Sequence, residues 1–137
     1  MSDTPESLVR NFLAAWVDPK PEELGSFFDN GAVWVDGPQG VRRGADAIAA
    51  ELTSQLKAVG GTTVDVKTLI SDGRVVMVEQ VSNSTVRGKP ISSVVMAVFE
   101  FNADGRIVQW REAYDLKSAV DQIKAALKDE LTDTKAG

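Results

Sequence analysis

The sequence contains no histidine and no cysteine. Without imidazole, Ser-His-Asp triads, histidine proton shuttles and imidazole metal sites are excluded. Without thiols, so are cysteine nucleophiles, thiolate zinc sites and disulfides. Acid–base chemistry is left to Asp, Glu, Tyr and Lys, and no metal or other cofactor is expected. Long apolar runs are also missing, since none approaches the roughly 20 residues that cross a bilayer, so no membrane partner is expected. Clustered basic residues are missing too. The 15 Lys and Arg are scattered through a chain of net charge −5, which argues against nucleic acid as a partner. Neither Gly88-Lys89 nor Gly37-Pro38-Gln39-Gly40 has the spacing of a phosphate loop. The opening Met1-Ser2-Asp3-Thr4-Pro5-Glu6 is acidic and polar, unlike a secretory signal, and a cytoplasmic location is expected.

What is present is a globular chain, 43% hydrophobic over 137 residues. That length suits a single domain, 1–137, with its own core. An ordered core over about 4–128 and a polar, fraying tail from Asp129 are expected. Thr4 and Pro5 read as N-cap and first position of a helix. Its apolar stripe is Leu8, Val9, Phe12, Leu13 and Trp16. Pro19 and Pro21 separate it from a short second helix that turns Leu24, Phe27 and Phe28 inward. Asn30-Gly31 reads as a turn into a strand over 32–36, followed by a loop over 37–44. A third helix over 45–59 carries Ile48, Leu52, Leu56 and Val59, and Gly60-Gly61 stops it. Strands near 62–70, 74–84, 91–101 and 107–114 then form a meander. A last helix begins near Leu116 with Asp115 as its cap. The order gives an α+β protein. Apolar residues on both faces of the third and fourth of these five strands need cover, either from the C-terminal helix on one face or, the preferred reading, from a second copy in a homodimer through the sheet.

One carboxylate interrupts an apolar pattern. Alternate strand residues share a face, so Val108, Trp110, Glu112 and Tyr114 fall together. Glu is rarely buried without a partner, so Glu112 is either ion-paired or exposed, or kept in a cavity for chemistry. By the same parity Trp34 and Asp36 share a face, and Gln80, Ser82 and Ser84 share another. Asp36 also reads as a turn cap before Gly37-Pro38, and the aromatics also read as core. Arg111, Asp115 and Glu79, on the opposite parity, read as structural.

The Trp34-x-Asp36-Gly37-Pro38 segment, the Glu79-Gln80-Val81-Ser82 strand and the ending Trp110-Arg111-Glu112-Ala113-Tyr114-Asp115-Leu116 carry a resemblance. Together with the element order, they are similar to the limonene-1,2-epoxide hydrolase and SnoaL-like branch of the NTF2-like superfamily. Ketosteroid isomerases belong to the same superfamily. The resemblance spans about 5–127. It implies a cone in which a curved, mostly antiparallel sheet wraps around N-terminal helices and a deep pocket, usually in a homodimer. The epoxide hydrolases' terminal-strand acid matches Glu112. Their Arg and first Asp fall on Gln80 and Ser82, and their Tyr and Asn on Trp34 and Asp36. Asp36 also matches the isomerases' general base, whereas their oxyanion-hole Tyr and second Asp fall on Phe12 and Ala97. Neither catalytic set is complete.

What these positions retain is a pair of acids, Asp36 and Glu112, as candidate catalytic residues. Two acids in one pocket are driven apart in pKa, one serving as acid and the other as base. Trp34, Gln80, Ser82, Tyr114, Phe12, Trp16, Val64, Val95 and Trp110 are the expected substrate contacts. The expected activity is opening of an epoxide on a small hydrophobic substrate, by water or an internal hydroxyl. The alternatives are an isomerase or cyclase, and a binding or dimerisation module without chemistry.

Overall fold

The computed structural model describes residues 3–136, with side chains to residue 128. The first helix, α1 (Pro5–Ala14), opens on a capping box. Thr4 Oγ1 accepts from the Ser7 N–H at 3.1 Å, and Ser7 Oγ accepts from the Thr4 N–H at 3.0 Å. A single 3₁₀ turn (Ala15–Val17) carries Trp16 into the core. The short α2 (Pro21–Gly25) buries Leu24. The strand β1 spans Phe28–Asp36, longer than the sequence pattern suggests. Phe28 therefore lies on a strand rather than in the second helix. Asn30-Gly31 is a bulge within β1, where its register against the neighbouring strand shifts.

The segment after β1 is also more ordered than a loop. A 3₁₀ turn (Gly37–Gln39) leads into a short strand β2 (Val41–Arg43), which pairs antiparallel with β1. The helix α3 (Ala45–Ala58) faces Ile48, Leu52 and Leu56 inward, and Gly61 N–H closes it on Leu56 O at 2.8 Å. The meander follows as β3 (Thr63–Ser71), β4 (Val75–Val86), β5 (Lys89–Phe101) and β6 (Ile107–Tyr114). Arg87 and Gly88, both at positive φ, make the tight β4–β5 turn. The helix α4 (Leu116–Ala136) begins where Asp115 Oδ1 accepts from Ser118 N–H. Whether the polar tail from Asp129 frays lies outside the described side chains.

Among the described residues, six strands form one curved, open sheet in the order β2-β1-β6-β5-β4-β3. All neighbours are antiparallel except β1 and β6, which run parallel. The fold is α+β, with the curved sheet and overlying helices of the expected cone. The helices sit on the concave side over a core of Val9, Phe12, Leu13, Ile48, Leu52 and the inward strand residues. No helix among the described residues is long and apolar enough to cross a membrane.

An aromatic cluster forms the bottom of the cone. Phe12 meets Trp16, Phe27, Phe28, Phe99 and Trp110 edge-on, with the closest ring, Trp110, at 5.2 Å. Trp34 stacks on Trp110 at 4.5 Å and 5°, and Phe99 lies on its other side at 5.7 Å. The register explains that stack, because Phe99, Trp110 and Trp34 are direct partners across β5, β6 and β1. A register shift near Phe101 turns Ile107, not Val108, toward this core. The single inward face read from alternation thus breaks at Val108.

Candidate active site

Two residues beyond the aromatic stack the same register sets Ala97, Glu112 and Asp36 side by side. Strand side chains repeat every two residues, so this row faces the same concavity. Ala97 is the smallest member and leaves room beside Glu112. Asp36 and Glu112 sit on adjacent strands, which lie about 4.8 Å apart. They line a cavity of about 360 Å³, toward the small end of ligand pockets. Trp16, Leu52, Leu56 and Val95 form apolar walls, and Ala119, Val120 and Ile123 of α4 also line it.

The two carboxyl groups are held differently. Asp36 is 1% exposed, yet each of its oxygens has a donor. Tyr114 Oη–H donates to Oδ1 at 2.9 Å, and Gln55 Nε2 donates to Oδ2 at 2.8 Å. Gln39 Nε2 in turn donates to Tyr114 Oη at 2.6 Å, which fixes the hydroxyl's direction. Burial raises the Asp36 pKa, while Gln55, Tyr114 and then Arg42 oppose the rise and Glu51 adds to it. Glu112 has one hydrogen-bond donor among the described residues, Trp34 Nε1 to Oε1 at 3.1 Å. Burial dominates there and pushes its pKa up to about 8, against the Trp34 bond and with the repulsion of Asp36. The Tyr114 phenol is pushed above its ordinary range by burial and stays a donor.

The chemical consequence is a division of labour. Near neutral pH Glu112 is the acid of the pair that keeps its proton, while Asp36 has the donors, one on each oxygen, that favour its charged form. The Trp34 bond occupies Oε1, which leaves Oε2 as the oxygen available to carry and donate the acid proton.

Of the expected contacts, Trp34, Tyr114, Trp16 and Val95 line the cavity with the two acids. Phe12 and Trp110 lie fully buried in the aromatic cluster beneath it and do not line it. Gln80 is fully buried, its Nε2 3.4 Å from Ser82 Oγ and its Oε1 without a partner among the described residues. Gln80, Ser82 and Val64 share the inward face but sit farther along β3 and β4, outside the cavity lining. Arg111 pairs with Glu100 and Gln109 on the outer side, and Glu79 accepts from Thr68 Oγ1. Among the described residues no group of three or more acids could hold a metal ion.

Gln39, Gln55 and Ser93, which also line the cavity, were not among the expected contacts. A signal existed for Gln55: it falls three residues after Leu52 on the inward stripe of α3, a polar residue in an apolar series. Gln39 lies in an irregular turn, where periodicity carries no signal.

Known proteins share this architecture. The chain belongs to the SnoaL-like domain family, whose pattern matches residues 9–110 and so ends two residues before Glu112. No curated protein sequence matches it. Among solved structures it is similar to an LEH-like epoxide hydrolase of M. tuberculosis, at TM-score 0.74 and 21% identity, over 94% of this chain and 96% of that one. It is also similar to a protein of ketosteroid isomerase-like fold from Catenulispora acidiphila, solved with trimethylamine. That match has a TM-score of 0.76 and 23% identity, over 89% of this chain and 95% of the other. A third is an epoxide hydrolase/cyclase-like enzyme of pyran ring formation in salinomycin, at 0.72 and 17%, over 83% and 92%. At these identities the likeness establishes the fold alone.

Proposed function

We propose that this protein is an acid–base enzyme that opens an epoxide on a small hydrophobic molecule. The observation that carries the proposal is the unequal treatment of two adjacent carboxyl groups in one cavity. Asp36 takes a proton from the attacking water, whose oxygen bonds to one epoxide carbon. The carbon–oxygen bond of the ring breaks, and Glu112 Oε2–H delivers its proton to the departing oxygen. The product is a vicinal diol. Exchange with solvent then removes the proton from Asp36 and returns one to Glu112. Where a substrate hydroxyl reaches the carbon before water, the same transfers give a cyclic ether. The apolar walls and the modest volume favour a compact, poorly polar substrate.

Turnover of a panel of hydrophobic epoxides by the wild type, followed by product analysis, tests this. Glu112→Gln and Asp36→Asn should each abolish turnover while both proteins stay folded. Full activity in both variants, or a wild type inert to the whole panel, rejects the proposal.

The outer sheet face supports a second copy as partner. Ile70, Met77, Val94 and Met96 are each at least half exposed there, and Ile70, Met77, Met96 and Arg111 line a groove of about 370 Å³. Side chains of this kind are rarely left in water as a contiguous patch, and a homodimer through the sheet covers them.

A further inference from the structure

The helix α3 contributes a polar network that the two-acid scheme does not use. Gln55 Nε2 donates to Asp36 Oδ2 at 2.8 Å and to Glu51 Oε2 at 2.9 Å. Arg42 Nη2 of β2 lies 3.7 Å from that same Glu51 oxygen. A side-chain amide has two hydrogens, and here each has a carboxylate to meet. Turning the amide over would aim its oxygen at two anions, so the orientation is set by its surroundings. Asp36 is buried, whereas Glu51 and Arg42 are part-exposed, with side-chain exposures of 36% and 29%. The network therefore runs from a buried acid of the cavity to the part-exposed side chains of Glu51 and Arg42.

We propose that Gln55 is the positioning residue that fixes Asp36 as the base, by sharing its amide hydrogens between Asp36 and the Arg42-supported Glu51. This assignment rests on the acid–base scheme above. With Tyr114 on Oδ1 and Gln55 on Oδ2, the carboxylate cannot rotate without losing a bond. Its remaining lone pairs are the ones available to a water in the cavity. Glu51 makes the anchor directional: a part-exposed acceptor holds the second amide hydrogen, and Arg42 balances its charge. The charged or titratable groups facing Asp36 are Glu112 and Tyr114 from β6, Arg42 from β2 and Glu51 from α3.

The test follows Asp36 itself. Carbon-detected NMR titration of the full chain reads its carboxyl midpoint whether or not any epoxide is turned over. Gln55→Met removes a donor at similar volume, and the midpoint should rise by about one pH unit. Glu51→Gln removes a repelling charge, and the midpoint should fall. In an active protein the acid limb of kcat/KM should move with each midpoint, which a purely structural role for Gln55 would not produce. An Asp36 midpoint unmoved in Gln55→Met overturns the assignment. If that variant does not fold, Gln55→Ala is titrated in its place, and an unmoved midpoint there overturns the assignment. Opposite shifts in a protein inert to every epoxide leave Gln55 as the anchor of Asp36 and reject epoxide opening.

Discussion

Trp34 Nε1 donates to Glu112 Oε1 at 3.1 Å, across the parallel pair β1 and β6. The indole is itself stacked on Trp110, its partner in that pair, so the donor that orients the acid is held by the core. A neutral Trp N–H stabilises the carboxylate less than a cation would, and Glu112 keeps its proton to about pH 8.

Replacing Trp34 by Phe should therefore extend the acid's working range. The Trp34 bond lowers the Glu112 pKa, so Trp34→Phe raises it and moves the alkaline limb of the rate profile upward. Lost packing and an unpaired Oε1 should cost about 1–3 kcal/mol of stability. A pH–rate profile together with urea unfolding measures both; an alkaline limb moving downward would contradict the assignment of Glu112 as acid.

Stability should depend on pH through the same group. Glu112 titrates near 4.5 when unfolded and about 8 when folded. Its contribution is fully present below the lower value and is lost as pH rises through the interval, because the unfolded chain releases the proton first. Melting temperatures between pH 5 and 8 should fall in the wild type and stay flatter in Glu112→Gln. The variant should equal or exceed the wild type at pH 8.

At Gly37 the backbone lies against the Tyr114 ring. The glycine's φ is +46°, and an added Cβ would lie 2.7 Å from Tyr114 Cε1. Gly37→Ala should cost about 1–3 kcal/mol through the backbone alone and displace the ring whose hydroxyl holds Asp36. Urea unfolding and kcat should both register it, with kcat falling about tenfold, the equivalent of ~1.4 kcal/mol on the barrier.

The proposed dimer has its own measurement. Met77→Glu places a charge in the exposed apolar patch, and light scattering should then show one-chain particles where the wild type shows two. A wild type that is monomeric at high concentration rules out this use of the face.

The strands of the meander were legible because each alternates or clusters apolar residues between clear turn signals, as in Asn102-Ala103-Asp104-Gly105 before β6. Helix α1 was legible from Thr4, Pro5 and the stripe through Trp16, which local backbone sterics and capping determine without help from the rest of the chain. The β1 bulge at Asn30-Gly31 was not, since a turn-forming pair and a bulge make the same local demand, and only pairing with β6 distinguishes them. The short β2 was likewise invisible, because three residues carry too little periodicity.

By itself the sequence determined the residue types available for chemistry, the alternation that puts Asp36 and Glu112 on inward faces, and the class of fold. The tertiary structure decided that those faces are one face, because strand register is a long-range property. It also decided the partners: Trp34 for Glu112, Tyr114 and Gln55 for Asp36. Hydrogen bonds between residues as far apart as 34 and 112 depend on how the sheet curves, and no local pattern encodes that.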